Sequence, residues 1–204
     1  AFLPLGSQAQ SKAIFTNPDF STLSIHEKTL AIVPFSVTLN LRPKDKAKMS
    51  ADELKQQEQQ NGLAIQSEME SYLLKKSEHT TYSVSFKDVE ETNRLLKSHH
   101  IDPDSVSGMD PQQVSRILGV DGVVCGKMIS SHPLSTGAAV AVDVLVGFGG
   151  ATNSGTCTIN IYDGPTGKLM WRYEKSLSRG LGSDAGTIID RIMSKASRKF
   201  PYNK

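Results

Sequence analysis

Apolar residues along this chain repeat with two different periods, and the places where the period changes mark its elements. "TLAIVPF" (Thr29–Phe35) is a continuous apolar run with β-branched residues and predicts a buried strand. "SVTLNLR" alternates after Pro34 and extends that strand until Pro43 and the lysines at Lys44–Lys48. Ser50-Ala-Asp-Glu53 has the form of a capping box, so a helix starts there. Leu54, Asn61, Ile65, Met69, Tyr72 and Leu73 recur at helical spacing and carry it to about Ser77, and Gly62 interrupts the pattern only locally.

"TYSVSF" (Thr81–Phe86) predicts a second strand, and Asp88 caps a helix with Val89, Thr92, Leu95 and Leu96 on one side. Asp110-Pro111 opens another helix, and Gly119 fits the position just past its end. Asp121–Ile129 is a third strand. Cys157, Ile159 and Ile161 then alternate with Thr158, Asn160 and Tyr162. The turn residues Asp163-Gly-Pro-Thr-Gly167 follow, and Leu169, Trp171 and Tyr173 alternate in turn. This is a β-hairpin, with Asp163, Gly167 and Trp171 as its structural residues. Ser183 caps a final helix whose stripe is Ile188, Ile189, Ile192, Met193 and Ala196, and Pro201 stops it.

Strands alternate with helices and a hairpin comes late, which predicts an α/β fold. We expect a single domain over 29–204, a mixed β-sheet with helices packed on it, a late β-hairpin and a C-terminal helix. Residues 10–28 are polar and aperiodic, an extended lead-in with a turn at Asn17-Pro18-Asp19. Residues 1–9, "AFLPLGSQA", look like the remnant of a secretory signal peptide, with Ser7 and Ala9 as the small residues before a cleavage point. No Cys lies near this point, so acylation at a lipobox cysteine is not expected.

With 204 residues, 38% hydrophobic and 22% charged, the chain can bury a substantial core. A formal net charge of +2 with scattered lysines gives no basic stripe, which argues against a nucleic-acid partner. Cys125 and Cys157 are the two cysteines. An oxidising compartment would allow a disulfide between them, yet both fall in strands, where a free Cys behaves as a small hydrophobe.

Between the third strand and the hairpin stands an insert, residues 134–153, "LSTGAAVAVDVLVGFGGATN". Gly137–Gly150 falls short of the roughly 20 residues a spanning helix needs. Asp143 at its centre would add about 2.5–3.5 kcal/mol to insertion. "GFGGATNSG" lacks the Lys-Ser/Thr of a phosphate-binding loop, and it lacks the third glycine of a dinucleotide fingerprint. A short apolar helix and an extension of the neighbouring strands both remain open. Either way, Val140, Val142, Asp143, Val144, Leu145, Val146 and Phe148 are the candidate interaction residues.

Catalytic constellations are missing. His26, His79, His99, His100 and His132 do not fall at metal-ligand spacing, and no GxSxG elbow occurs. No catalytic, cofactor-binding or metal-ligating residue is assigned, and no enzyme activity is expected.

"LAIVPF", "VEETNRLL", "ILGVDGVVCGKM" and "IYDGPTGKLMW", in this order, resemble a superfamily of bacterial envelope proteins. It comprises the curli secretion lipoprotein CsgG, the peptidoglycan-synthase activator LpoB and the N-terminal domain of TolB. The similarity spans roughly residues 29–200. The chain also looks like a group of exported proteins that end in a short helix followed by "KFPY". The resemblance implies a periplasmic or exported protein of the cell envelope. Such a protein would act by protein–protein contact in envelope assembly or maintenance, through an envelope partner or self-association. Peripheral membrane contact fits this reading. The alternatives are a small-ligand-binding module, with polar groups near Asp143 and Asn153, and an outer-membrane secretion or pore component. The lipobox cysteine of the lipoprotein members is absent here.

Overall fold

A computed structural model describes residues 12–41, 43–131, 154–177 and 185–204. The elements run β1 (Lys12–Thr16), α1 (Phe20–Leu23), β2 (Thr29–Ile32), β3 (Ser36–Asn40), α2 (Pro43–Lys46) and α3 (Ala51–Ser77). They continue with β4 (Ser85–Lys87), α4 (Val89–Ser98), α5 (Pro111–Leu118), β5 (Gly122–Ser131), β6 (Ser154–Asp163), β7 (Leu169–Leu177) and α6 (Ala185–Ala196).

The strands form one seven-stranded sheet in the order β1-β7-β6-β5-β2-β4, and β3 also pairs with β5. β2, β3 and β4 join through parallel pairings, while β5, β6, β7 and β1 are antiparallel neighbours. The result is the expected single α/β domain with a mixed sheet and packed helices.

Caps expected from the sequence set the helix starts. Ser50 Oγ accepts the Glu53 amide at 3.2 Å, and Glu53 accepts the Ser50 amide at 2.7 Å. Asp88 and Asp110 accept the amides of Glu91 and Gln112. Gly119 ends α5 with φ +63°, a left-handed conformation that glycine adopts without strain.

One face of the sheet packs on α3 and α6. Ile65, Met69 and Leu73 from α3 and Ile189, Ile192 and Met193 from α6 meet Ile32, Met128, Ile159, Ile161, Trp171 and Tyr173. Each such side chain contributes about 1.5–3 kcal/mol of burial. On the other face, α4 and α5 cover a smaller core that includes Ala31, Val33, Leu96, Val114, Val123 and Cys125. Gly62 turns out to be a packing requirement of α3. A Cβ there would lie 2.1 Å from the Phe35 carbonyl oxygen, so only glycine lets the helix seat against that backbone.

The structure departs from the sequence reading in three places. Pro34 has no amide to donate, and the run from Thr29 is split into β2 and β3, both paired along β5. The expected strand over Thr81–Phe86 shortens to Ser85–Lys87, and Tyr82 instead forms an isolated bridge with Asn203. Part of the expected lead-in belongs to the sheet. Residues 12–16 pair with β7 and make its edge strand.

The two cysteines are free and buried. Cys125 lies in the smaller core and Cys157 in the larger one, on opposite faces of the sheet, so no bridge joins them. Burial pushes both thiols up to about 12, which keeps them protonated and unreactive near neutrality.

Candidate functional site

The sheet has two ends of different character. At one end β3, β5 and β7 finish while β1 and β6 begin. Asn40 pairs with Ser131, Ser131 with Ser154, Gly155 with Leu177, and Lys12 with Lys175. The insert therefore leaves and re-enters the fold between two paired residues of ten-residue strands. Val140, Val142, Asp143, Val144, Leu145, Val146 and Phe148 themselves lie outside the described residues, as do Asn153, residues 1–9 with their expected signal remnant, and Ser183, the expected helix cap.

Beside this end, one face of β3, β5, β6, β7 and β1 carries alternate residues that are not fully buried. Thr38, Lys127, Thr158, Asn160, Arg172 and Phe15 are exposed or half-buried, and Phe15 is 42% exposed. Polar residues alternating with core residues are what an antiparallel sheet with one solvated face requires. Arg172 Nε donates to Asn160 Oδ1 at 2.8 Å and so lies along this face.

At the opposite end, β2 and β5 begin, β6 finishes, and the hairpin turn closes on itself. Asp163 accepts the Thr166 amide at 2.8 Å and also the Thr166 hydroxyl, while Gly167, at φ +66°, donates to the Asp163 carbonyl at 2.8 Å. Trp171 is 1% exposed and packs edge-on against Phe200, ring centres 5.8 Å apart. Asp121 joins the strand starts. Its Oδ2 accepts the amides of Lys28 at 2.8 Å and Thr29 at 2.9 Å, and its carbonyl accepts the Gly164 amide at 2.7 Å.

Within this knot sits Glu27, only 2% exposed. Tyr202 donates its hydroxyl to Glu27 Oε2 at 2.5 Å, whereas Oε1 has no hydrogen-bond partner among the described residues. Gly122 makes the room for this carboxyl, since a Cβ there would stand 3.0 Å from Oε1 and 2.6 Å from the Leu30 side chain. Loss of water raises the Glu27 pKa to about 7; the Tyr202 hydrogen bond opposes the rise, and the carboxylates of Asp163 and Asp121 add to it. Tyr202 is itself pushed well above the usual phenol range, first by burial and then by its bond to Glu27.

A shallow cleft of about 440 Å³ adjoins this end, lined by Gln112, Ser115, Arg116, Asp121, Gly164 and Pro165. Among the described residues, no group of three or more His, Cys, Asp or Glu side chains could hold a metal ion. Likewise, no described helix is long and apolar enough to cross a membrane.

The sequence pattern placed Asp163, Gly167 and Trp171 in the hairpin and Asp121 at the start of the third strand. It passed over Glu27 and Tyr202. A charged residue in a polar segment carries no local sign of burial, and these two residues are 175 positions apart.

No family model matches the chain, and no curated protein sequence matches it. Its fold is similar to several solved structures. The lipoprotein GNA1162 from Neisseria meningitidis aligns at 11% identity over 84% of this chain and 95% of that one, with a TM-score of 0.49. LpoB from E. coli aligns at 10% identity over 88% and 75%, with a TM-score of 0.45. The PelC dodecamer from Paraburkholderia phytofirmans aligns at 10% identity over 92% and 94%, with a TM-score of 0.44. Likeness at this level concerns the order of the elements and assigns no task.

Proposed function

We propose that this chain is a non-enzymatic, exported envelope protein that works by protein–protein contact, with residues 134–153 as its contact element. One observation carries the reading. The apolar insert is anchored at both ends by the paired residues Ser131 and Ser154, on a β5–β6 pair that is continuous back to the far end of the sheet. A rigid base of this kind limits the entropy lost when its loop engages a partner. The valines of the insert supply apolar area, and its small residues allow close backbone approach. The apolar N-terminal run and the four envelope-type motifs support an exported location.

Light scattering after size exclusion, run on the wild type and on a deletion of residues 137–150, tests this reading. The deletion is expected to lower the oligomeric mass or abolish capture of the envelope partner. Unchanged mass together with unchanged capture would show that the contact element lies elsewhere.

A further inference from the structure

We propose that Glu27 and Tyr202 form a pH-dependent clasp: protonated Glu27 keeps residues 200–204 on the sheet, and ionised Glu27 releases them. The geometry sets up a two-state contact. Glu27 Oε2 takes the Tyr202 hydroxyl, while Oε1 is buried without a donor among the described residues. A carboxylate in that position loses water at one oxygen and gains nothing for it, whereas a carboxylic acid loses far less.

The groups facing Glu27 come from three elements. Tyr202 belongs to the C-terminal segment, Asp163 to the end of β6, and Asp121 to the turn before β5. The two aspartates oppose a negative charge on Glu27. The rise of the Glu27 pKa toward neutrality agrees with this arrangement.

Of these three elements, the C-terminal segment has the fewest backbone ties to the sheet, its hold coming from the buried rings of Phe200 and Tyr202, which pack with Trp171 and Phe20. Asp121 is tied to the amides of Lys28 and Thr29, and Asp163 is tied into its own turn. Residues 200–204 are held to residues 81–83 by a single bridge, Tyr82 with Asn203. Ser83 donates to the Tyr202 carbonyl at 2.9 Å and Lys204 to the Thr81 carbonyl at 3.0 Å. A segment attached by so few backbone bonds opens locally before the sheet does. Its release uncovers the backbone of 81–83 and the rings of Tyr82 and Phe86, which pack with Phe200.

Amide hydrogen exchange at Ser83 and Lys204, normalised for intrinsic exchange and followed from pH 5 to 8.5, tests the clasp. Open residues leave Glu27 hydrated, with an ordinary carboxyl pKa. The two protection factors should therefore fall about tenfold per pH unit up to neutrality and level off above it. In Glu27→Gln the two protection factors should be flat with pH, and in the wild type Ser83 and Lys204 should stay less protected than central amides of β5 and β6 at every pH, as local opening requires. Tyr202→Phe, which keeps the ring packing, should lower protection of both amides at pH 5. The clasp is overturned by flat protection in the wild type, by the same fall in Glu27→Gln, by protection of Ser83 and Lys204 equal to that of central β5 and β6 amides, or by unaltered protection in Tyr202→Phe.

Discussion

Where β2 and β5 begin, carboxyl groups, aromatic rings and a tight turn are locked to one another. Where β5 ends and β6 begins, the strands close on the pair Ser131 and Ser154, and between these two residues the sequence runs through its most apolar stretch. The first end holds Glu27, Asp121, Asp163, Trp171 and Tyr202, each buried or bonded to backbone from another element. The second offers paired strand termini and a solvated sheet face. The contrast separates two jobs. Polar groups at the closed end set register and hold the strand starts, so they are spent on the fold. At the open end the core runs out to Leu39, Met128 and Cys157, and beyond them the insert joins the sheet through the paired residues Ser131 and Ser154.

Substitutions at the two ends should break or sharpen that division. The largest effect is expected at Trp171, which packs in the larger core and against Phe200 of the C-terminal segment. Trp171→Ala should cost about 3–5 kcal/mol, seen as a lower urea midpoint. Next comes pH. Glu27 has a folded pKa raised to about 7 from an unfolded value near 4.5. Its contribution is fully present below the unfolded value and is lost as pH rises through the folded one. The loss is on the order of 3 kcal/mol. Subtracting the pH–stability curve of Glu27→Gln from that of the wild type isolates it, and equal curves would remove Glu27 from the account.

Tyr202→Phe deletes one hydroxyl and leaves Glu27 with neither oxygen satisfied, so a loss of about 1–3 kcal/mol is expected by the same denaturant measurement at pH 5, where the clasp is closed. The smallest effect belongs to the open face. Phe15→Ser should change stability by less than about 0.5 kcal/mol, because this edge-strand side chain is already 42% exposed. A large loss there would mean that the open face is packed against something in solution.

Much of this fold was legible from short-range pattern. The Ser50–Glu53 box, the Asp88 and Asp110 caps, Gly119 and the β6–β7 hairpin are each written within a few residues, and each forms as written. What escaped was decided by distant partners. "KAIFT" is too short for its alternation to stand out, and it becomes a strand only because β7 presents an edge to it. Tyr82 sits in a strand-like run, but its partner Asn203 comes from the other end of the chain. Gly62 reads as a local weakness in a helix and is in fact a seat for Phe35. Glu27 reads as surface and is buried because Gly122 leaves a space that Tyr202 closes. The insert was legible as an apolar anomaly, and its flanks show where it is mounted.

The central claim is that contact and fold are carried by different ends of the molecule. The most direct measurement takes the full chain with Val140, Val142, Val144 and Val146 all replaced by serine, and compares its light-scattering mass and melting temperature with the wild type. The account predicts a lower mass or a lost partner complex with a melting temperature within about 2 °C of the wild type, since it assigns these four valines to contact. An unchanged mass with unchanged partner binding would contradict it, and so would a collapse of the melting temperature.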